Sequence, residues 1–521
     1  MSAKLLRLKV ITVAAALMAG IGSAIAAEQP PNILYILCDD LGYGDVHSFN
    51  PEGKIATPNF DRLAREGMAF TDAHGSSSVC TPTRYGILTG RYNWRSRMQA
   101  GVLDGFSRHL IEPGRMTVAS FLRDHGYVTA CIGKWHLGMD WPRKDAAVGD
   151  GITQDAKNVD YGQAIKNGPT AVGFDSYFGI SASLDMPPFV FISGDHVTEI
   201  PSAEKTFVRK GPAAPDFEAV DVLPGLTQKA IEYLGKEAGE VKTGKPFFLY
   251  LPLNSPHAPI VPTPEWQGKS GLNAYGDFVM ETDACVGKIL EALDKDGLAA
   301  NTIVVFTSDN GCSPVANIPE LEGKGHYPNY HFRGAKADIW DGGHRIPLIV
   351  RWPEKVKAGA ACNELVCLTD LLATTAELVG VKLPANAGED SVSMMPALLG
   401  KPHEPLREAI VHHSINGSFS IRQGNWKLEL CSGSGGWSAP KPGSAEAKQL
   451  PPVQLYDVSG DVEEKHNVQD QHPEIVQRLT KLLESYVANG RSTEGAPQQN
   501  DTHIELWKDR PNPSKGQDIG D

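Results

Sequence analysis

Two acidic pairs follow short apolar runs in this chain and offer oxygen ligands to a metal ion. The first pair is Asp39 and Asp40, and the second is Asp309 and Asn310. Because ligands gather at the carboxyl ends of the strands in α/β sheets, we expect both pairs to lie at one sheet edge. Oxygen ligands suit a hard cation, Ca²⁺ or Mg²⁺. Taken alone, each pair is more often a turn or a helix cap.

The run from Cys80 to Arg91 is the most informative segment of the chain. Its cysteine stands two residues before Pro82 and four before Arg84. The proline predicts the start of a short helix that ends at Gly90. Residue 80 would then lie at the positive N-terminal end of that helix, where anions and alkoxides are stabilised. A lone cysteine would be interpreted as a buried, inert thiol, but the whole run argues against this.

Three further stretches carry cations and imidazoles. Lys134 and His136 lie in Gly-Lys-Trp-His-Leu-Gly, His257 lies in Ser-Pro-His-Ala-Pro, and Lys336 precedes the segment 340–347. Taken singly, each lysine is interpreted as a solvated surface charge and each histidine as a hydrogen-bonded structural residue. Their order along the chain, together with the cysteine run, indicates a single anion-handling site.

These motifs together resemble the type I sulfatases of the alkaline phosphatase superfamily, over most of residues 31–355. The resemblance implies that a formylglycine-generating or anaerobic sulfatase-maturating enzyme oxidises Cys80 to formylglycine (3-oxoalanine), whose hydrated aldehyde is the nucleophile. Position 83 is Thr where the family commonly has Ser, and both side chains carry a hydroxyl. The resemblance also implies one bound Ca²⁺, although oxygen ligands alone leave Mg²⁺ open. Its ligands would be Asp39, Asp40, residue 80, Asp309 and Asn310.

The resemblance further implies a role for each basic residue. Arg84 would hold the hydrated aldehyde, and Lys134 would contact a sulfate oxygen. After sulfate transfer, His136 would take the proton of the second hydroxyl, so that sulfate is expelled and the aldehyde returns. A simple serine has no second hydroxyl and would stay sulfated. His257 and Lys336 would hold sulfate and protonate the leaving alcohol.

Composition and charge restrict the partners of the protein. The chain has 521 residues and a formal net charge of −13. Residues 1–27 combine a basic start, an apolar stretch and the small residues 24–26, which predicts a cleavable signal peptide and a periplasmic or secreted protein. Loss of that segment takes the net charge to about −16, which disfavours nucleic acid as a partner. No other segment is apolar and long enough to span a membrane.

The eight cysteines do not form a disulfide scaffold in a chain of this length. There is no Cys-x-x-Cys pair and no zinc-type spacing of cysteine and histidine. Cys362 and Cys367 are close enough in sequence to form a bridge in an oxidising compartment. We interpret most of the others as small buried hydrophobic residues.

The alternation of apolar runs with amphipathic stretches predicts an α/β fold with a large, mostly parallel central sheet and helices on both faces. Near residue 400 the strands become short and turn-separated, which predicts a smaller C-terminal α+β domain with an antiparallel sheet. The organisation we expect is a signal peptide at 1–27, a catalytic domain at 28–400, an antiparallel-sheet subdomain at 401–490 and a polar tail at 491–521.

The predicted reaction is release of sulfate from a sulfated carbohydrate, with aryl sulfates as surrogate substrates. Two alternatives stay open, which are a phosphonate or phosphate ester hydrolase of the same superfamily and a catalytically silent polysaccharide-binding protein. The sequence does not predict the sugar, the sulfated position or the oligomeric state. Candidates for the rim that contacts the substrate are Asp185, His331, Trp340, His344 and Arg345.

Overall fold

A computed structural model describes residues 29–145, 153–353 and 355–508. The predicted signal peptide lies outside this range. Among the helices in the described residues, none is both long and apolar enough to cross a membrane. The domain boundaries inferred from the sequence stay predictions.

Helices and strands alternate along the chain, as the apolar pattern predicts. The strands of the described residues are β1 Asn32–Asp39, β2 Met68–Phe70, β3 Ala73–His74, β4 Val128–Lys134, β5 Ser176–Ile180, β6 Ile192–Ser193, β7 His196–Val197, β8 Ala203–Thr206, β9 Lys210–Ala213, β10 Phe247–Pro256, β11 Thr302–Ser308, β12 Leu348–Arg351, β13 Ala360–Cys362, β14 Val366–Cys367, β15 Ile410–His413, β16 Phe419–Gln423, β17 Trp426–Glu429 and β18 Gln454–Asp457. The α-helices are α1 Pro58–Glu66, α2 Cys80–Thr89, α3 Val118–Asp124, α4 Val222–Val241, α5 Ala274–Lys295, α6 Ile318–Gly323, α7 Asp341–His344, α8 Leu371–Leu378, α9 Met395–Leu398 and α10 Pro473–Ala488.

The large sheet has ten strands in the order β13-β2-β12-β11-β1-β10-β4-β5-β6-β7. Its centre is parallel, because β1 pairs in parallel with β10 and β11, and β4 pairs in parallel with β10 and β5. Antiparallel pairs occur only toward the two edges, at β12 and at β6. The predicted mostly parallel sheet is confirmed. Its central strands therefore end at one common edge.

Both faces of the central strands are covered, which explains their unbroken apolar sequences. In β1, Tyr35 and Leu37 belong to one hydrophobic core, whereas Leu34 and Ile36 belong to the other. Helices α2, α3 and α8 pack on the first face, and α1, α4 and α5 pack on the second. Because one residue step moves a side chain to the opposite face, the register of β1 is strongly specified.

Helix α2 begins earlier than the sequence predicts. The predicted start is Pro82, but the helix starts at Cys80 and its N-cap is Val79. Proline is tolerated in the first turn because the N–H it lacks would have no partner within the helix. Gly90 ends the helix as predicted, with φ 63° and its N–H donating to the carbonyl of Gly86. The cysteine therefore lies in the first helical turn.

The C-terminal part forms a four-stranded antiparallel sheet in the order β15-β16-β17-β18, with α10 packed on it. The antiparallel sheet that the sequence predicts after about residue 400 is confirmed. The polar tail begins without helix or strand over 491–508, but this part is not loosely held. Ile504 and Leu506 are buried in the C-terminal core, and Asp501 pairs with the buried Arg91. Apolar side chains spaced within a polar segment provide this anchoring.

All eight cysteines are free, and seven of them are buried. The possible bridge between Cys362 and Cys367 is not formed. Cys362 ends β13 at the large sheet, whereas Cys367 belongs to the small pair β14–β3. The interpretation of most cysteines as small buried side chains is confirmed.

Candidate active site

The ends of β1 and β11 bring the two acidic pairs together, as the sequence predicts. The strands are adjacent and parallel, with Cys38 opposite Ser308. The N–H of Asp40 donates to Asp309 Oδ1 at 3.2 Å, and Asn310 Nδ2 donates to Asp40 Oδ1 at 2.7 Å. All of the acidic-pair side chains are buried. The sheet edge therefore concentrates carboxylates in a place that water scarcely reaches.

Cys80 lies directly against this acidic edge. Its Sγ donates to Asp39 Oδ1 at 3.6 Å, and the residue is 1% exposed. Burial raises the pKa of the Cys80 thiol to about 12, although the charges of Lys134 and Lys336 oppose the change. At neutral pH the thiol is therefore protonated and a poor nucleophile.

Arg84 lies one helical turn after Cys80 and crosses to the second acidic pair. Its Nε and Nη2 donate to Asp309 Oδ2 at 3.0 and 2.7 Å, and its Nη1 donates to the carbonyl of Lys134 at 3.2 Å. Burial alone would lower the pKa of Arg84, but the charges of Asp309 and Asp39 raise it above its ordinary value. The guanidinium is a fixed cation that ties α2 to the ends of β11 and β4.

Two lysines reach the acidic edge from opposite sides. Lys134, the last residue of β4, donates to Asp39 Oδ2 at 2.6 Å. Lys336 contacts Asp40 Oδ1 at 2.7 Å and Oδ2 at 2.9 Å. Burial would lower the pKa of Lys336, but Asp40 and the other nearby acids raise it above its ordinary value. Both ammonium groups are therefore positioned to meet an anion.

The charges at this edge also shift the pKa values of Asp39 and Asp309 in opposite directions. Burial alone would raise the pKa of Asp39, but Lys134, His257 and Arg84 hold it well below its ordinary value. Burial and then the charge of Asp39 raise the pKa of Asp309 to about 6. A carboxylate pair this close gains from a neighbouring cation, because two like charges repel strongly in a buried site.

The geometry of His136 leaves one nitrogen available as a base. Its Nε2 lies 2.7 Å from the carbonyl of Leu103, which can only accept, so Nε2 carries the proton. Its Nδ1 is buried without a hydrogen-bond partner among the described residues. Burial and then Lys134 lower the pKa of His136 well below its ordinary value, so the imidazole is neutral. Nδ1 therefore holds a free lone pair.

His257 lies at the same edge of the sheet, directly after β10. Its Nδ1 donates to the carbonyl of Ala258 at 2.6 Å. Its Nε2 lies 3.7 Å from Asp40 Oδ2, and the side chain is 11% exposed. Since Asp40 also meets Lys336, His257 and Lys336 face the same carboxylate.

Backbone strain is located at two of these residues. Asp40 has φ 67° and His136 has φ 57°, in a region that residues other than glycine seldom adopt. Each such residue costs on the order of 1–3 kcal/mol, which the surrounding structure must supply. One strained position carries an acid that lies close to Cys80, and the other carries the imidazole with the unpartnered nitrogen.

The residues present fit a hard divalent cation. Ligand atoms of Asp39, Asp40, Cys80 and His257 all lie within 4.8 Å of one another. In addition, Asn310 Oδ1 is buried and has no hydrogen-bond partner among the described residues. A buried carbonyl oxygen of this kind needs a donor or a cation. Carboxylate and amide oxygens are the ligands that Ca²⁺ and Mg²⁺ prefer.

Other polar groups at this edge were not singled out from the sequence. Ser181 and Ser183 follow β5, and their hydroxyls are buried without a partner among the described residues. The N–H of His136 donates to the carbonyl of Ser181 at 2.9 Å, which ties the two loops together. Asn254 lies near the end of β10, and both of its side-chain polar atoms are buried and unpartnered within the described part of the chain. The sequence pattern that could have identified these residues is a polar side chain at or just after the end of a predicted strand.

The predicted rim residues separate into buried and accessible groups. Trp340 and His344 are 1% and 0% exposed, so their assignment to the rim is wrong. Both pack at the junction with the C-terminal sheet, where burial of the ring outweighs exposure of its polar tip. Arg345 is mostly buried between two carboxylates. His331 is exposed and Asp185 is partly exposed, as a rim requires.

Comparison with known proteins places this arrangement in a family. The family model described as Sulfatase matches residues 31–381. The chain belongs to the sulfatase family. The N-acetylgalactosamine-6-O-sulfatase of Bacteroides thetaiotaomicron is 34% identical over 501 residues, covering 88% of this chain and 93% of that protein. Arylsulfatase A of Homo sapiens is 31% identical and covers 89% of each chain.

Solved structures agree with this sulfatase fold. A sulfatase from work on glycosaminoglycan metabolism by Bacteroides thetaiotaomicron superposes with a TM-score of 0.75 at 33% identity, covering 88% of this chain and 99% of that one. Ps i-CgsB in complex with k-i-k-neocarrahexaose superposes with a TM-score of 0.67 at 25% identity, covering 90% and 95%. The predicted family, fold class and enzyme class of this sulfatase are confirmed.

Proposed function

We propose that this enzyme hydrolyses a sulfate ester of a sulfated carbohydrate, using residue 80 as formylglycine beside a bound divalent cation. The observation that carries the proposal is the position of Cys80. Cys80 is the first residue of α2, and its Sγ lies 3.6 Å from Asp39 Oδ1. Arg84 follows one helical turn later. This is where a nucleophilic oxygen would receive the most support from cations and helix dipole.

Conversion of Cys80 to formylglycine would explain how a residue whose thiol hardly ionises can supply the nucleophile. As a thiol with a pKa of about 12, the residue would hardly ionise at neutral pH. A hydrated aldehyde supplies one hydroxyl for attack on sulfur and keeps a second one. Loss of the proton from the second hydroxyl would re-form the aldehyde and expel sulfate by cleavage of the bond between carbon and the sulfated oxygen. This proposal includes a formylglycine-generating or anaerobic sulfatase-maturating enzyme as a partner.

The cation would be held by oxygens of Asp39, Asp40, Asp309 and Asn310 together with residue 80. We propose Ca²⁺, with Mg²⁺ as the alternative to be tested. When bound, the cation polarises the nucleophile and offsets charge on a sulfate oxygen. The unpartnered Asn310 Oδ1 supports this assignment.

The basic residues of the site would then bind the sulfate group and transfer protons. Lys134 and Lys336 would hold the sulfate oxygens from opposite sides, with each well-placed donor worth about 3 kcal/mol in the transition state. Arg84 would orient the side chain of residue 80. His257 Nε2 would donate a proton to the leaving alcohol. His136 Nδ1, which carries a lone pair, would accept a proton from residue 80.

For the substrate we propose a sulfated sugar of the glycosaminoglycan type. The 34% identical relative is named N-acetylgalactosamine-6-O-sulfatase, so N-acetylgalactosamine 6-sulfate is the first ester to test. We also propose export through the signal peptide at 1–27, which would place the enzyme where sulfated polymers occur.

The decisive experiment measures residue 80 and turnover on the same sample. Protein made with a maturating enzyme should carry an aldehyde in place of the Cys80 thiol and should hydrolyse 4-nitrophenyl sulfate and N-acetylgalactosamine 6-sulfate. Cys80→Ala serves as the control and should be inactive on both. Faster turnover of 4-nitrophenyl phosphate than of the sulfate would favour the phosphate ester alternative. An unmodified thiol in protein from the native host would overturn the proposal.

A further inference from the structure

A loop after β5 forms one wall beside His136. The N–H groups of Trp135 and His136 donate to the carbonyls of Ile180 and Ser181 at 3.0 and 2.9 Å. The loop therefore runs along the segment that carries the proposed base. Four residues after Ser181 it reaches Asp185.

A second loop borders the same wall. The carbonyl of Leu103 accepts from His136, and Gly105 approaches Pro187 so closely that a Cβ at position 105 would lie 2.1 Å from the Pro187 carbonyl oxygen. Asp185, two residues before Pro187, is thus held between segments that pack around the base. Its position is defined by backbone contacts that do not involve its own carboxylate.

The carboxylate of Asp185 is only partly used by the protein. Its Oδ2 lies 3.7 Å from Arg209 Nη2, a long ion pair, and the side chain of Asp185 is 14% exposed while that of Arg209 is 56% exposed. Its Oδ1 is buried and has no hydrogen-bond partner among the described residues. An ionised carboxylate oxygen in that setting needs a donor, because leaving it unpaired is costly.

A carboxylate on the loop beside His136 is unusual in an enzyme that must admit a sulfate ester. It repels the sulfate unless it meets a group that donates hydrogen bonds. Arg209 offsets part of that repulsion, since its charge lies beside Asp185. The ring that carries the sulfate presents hydroxyl groups, which are neutral donors of the required kind. An aryl sulfate has no such group.

We infer that Asp185 is a specificity residue that accepts a hydrogen bond from a hydroxyl of the sulfated sugar ring, with Arg209 balancing its charge. This inference rests on the proposed sulfatase reaction and adds the part of the substrate that the protein recognises. It separates substrates that share the sulfate ester but differ in the hydroxyls beside it.

The first experiment compares two substrates on variants of Asp185. Asp185→Ala should lower the ratio of kcat/KM for N-acetylgalactosamine 6-sulfate to kcat/KM for 4-nitrophenyl sulfate by about tenfold to a hundredfold, the loss expected for a hydrogen bond to a charged acceptor. Asp185→Asn, which keeps one carbonyl oxygen, should lower the ratio less. The control is Glu204→Gln, whose exposed carboxylate pairs with Lys210 on the hairpin that leads to Arg209. Its ratio should stay at the wild-type value.

The second experiment removes the hydroxyl instead of the carboxylate. With wild-type enzyme, the 3-deoxy or the 4-deoxy analogue of the sugar sulfate should lose about tenfold in kcat/KM relative to the parent sugar. With Asp185→Ala, the same analogue should lose no more than about twofold, because its partner is already gone. This coupling identifies direct recognition, whereas a merely structural role would leave the deoxy penalty unchanged.

The outcomes distinguish this inference from the proposed function. Equal losses on the aryl and sugar esters, or a deoxy penalty that is the same in both enzymes, would overturn the role of Asp185 and leave the sulfatase reaction standing. Absence of turnover of both sulfate esters by wild-type enzyme with a converted residue 80 would instead overturn the reaction. Thermal unfolding of each variant, measured alongside, checks that the protein is folded.

Discussion

A single hydrogen bond to the carbonyl of Leu103 determines which nitrogen of His136 can accept a proton. The Leu103 carbonyl holds the proton on Nε2, and the lone pair stays on the buried Nδ1. Because the pKa of His136 is lowered well below its ordinary value, protonation does not remove this base in the neutral range. The tautomer, and not only the residue type, prepares the site for proton transfer.

We predict that His136→Ala lowers kcat by at least about 100-fold with little change in KM, the usual contribution of a general base. Added imidazole should restore part of the activity by occupying the space left by the ring. The control is His196→Ala, whose side chain is 55% exposed. Loss of activity without rescue, together with a lower Tm, would indicate a structural role instead.

Asn310 allows the metal proposal to be tested without turnover. Wild-type protein treated with a chelator should gain Tm when Ca²⁺ is returned, since a ligand at 100 times its Kd stabilises by about 2.7 kcal/mol. Asn310→Ala should lose most of that gain, whereas Asn425→Ala, on the exposed turn after β16, should keep it. An undiminished Ca²⁺ response in Asn310→Ala would contradict the assignment.

Among the elements, the short helix α7 holds the acidic sheet edge in place. The N–H of Gly311, directly after Asn310, donates to the carbonyl of Gly343 at 3.0 Å. A Cβ at position 311 would lie 1.9 Å from the Gly342 carbonyl oxygen. Glycine is therefore required for two backbones to approach this closely.

We predict that Gly311→Ala abolishes most activity, because the backbone beside Asn310 must move to relieve the clash. Circular dichroism should still show a folded protein. The matched control is Gly239→Ala in α4, where a Cβ meets nothing within 4 Å. That change should stabilise the helix by about 0.5–1 kcal/mol and leave turnover intact. Near-normal kcat in Gly311→Ala would argue against the positioning role of α7.

Lys427 of β17 connects the same helix to the C-terminal sheet through buried hydrogen bonds. Its Nζ donates to Asp341 at 2.8 Å, to Glu464 at 2.6 Å and to the carbonyl of Ile339 at 3.1 Å, all in a fully buried setting. Glu464 Oε2 in turn accepts from the N–H of Asp341. The antiparallel sheet thus supports the active site through a buried ion network.

We expect Lys427→Met to lower the free energy of unfolding by about 3–5 kcal/mol, since it leaves buried carboxylates unpaired. Activity should fall together with stability, because α7 loses its attachment. The exposed Lys441→Met should change stability by less than about 0.5 kcal/mol. Chemical denaturation of both variants measures the difference, and equal stabilities would refute the network's importance.

Across the whole molecule, three buried histidines connect β3 and α7 to strand β15 of the C-terminal sheet. His74, His344 and His412 come from three separate elements, and the rings of His344 and His412 stack with centroids 3.7 Å apart. Nearby, the N–H of Ser78, two residues before Cys80, donates to the carbonyl of His413 at 3.1 Å. A change in packing at this junction would therefore move the backbone beside residue 80.

The pKa of His412 is lowered well below its ordinary value by burial, then by His344, His74 and Lys427. In the unfolded chain it titrates near 6.5, so the unfolded state binds the extra proton and stability falls as pH drops below about 6.5. We predict that, as the pH falls from 7 to 5, the free energy of unfolding of His412→Phe decreases less than that of wild type, by up to about 1.4 kcal/mol for each pH unit below about 6.5. The Tm of the variant should fall less in the same range. His503→Phe, at an exposed site, should follow wild type. Parallel Tm curves for all three proteins would contradict the prediction.

Much of the architecture is predictable because it depends on local patterns. Strands β1 and β11 follow from unbroken apolar runs, and the end of α2 follows from Gly90, which adopts φ 63°. The start of α2 is less predictable, since Pro82 is compatible with any position in the first turn. Thr57 is the N-cap residue of α1, but its side chain makes no capping hydrogen bond, and the N–H groups of Asn59 and Phe60 donate to Asp283 on α5 instead. A cap supplied from a distant helix leaves no local signal.

The amino-acid sequence alone predicts the candidate site residues, the order of the motifs and the parallel sheet that gathers strand ends at one edge. Tertiary packing, by contrast, brings Lys134 to Asp39 and Lys336 to Asp40, buries Trp340 and His344, and attaches α7 to the C-terminal sheet. The physical reason is that apolar periodicity and turn residues act over a few neighbouring positions. Contacts between buried charges depend instead on how separate elements pack, and that packing is settled by the whole core at once.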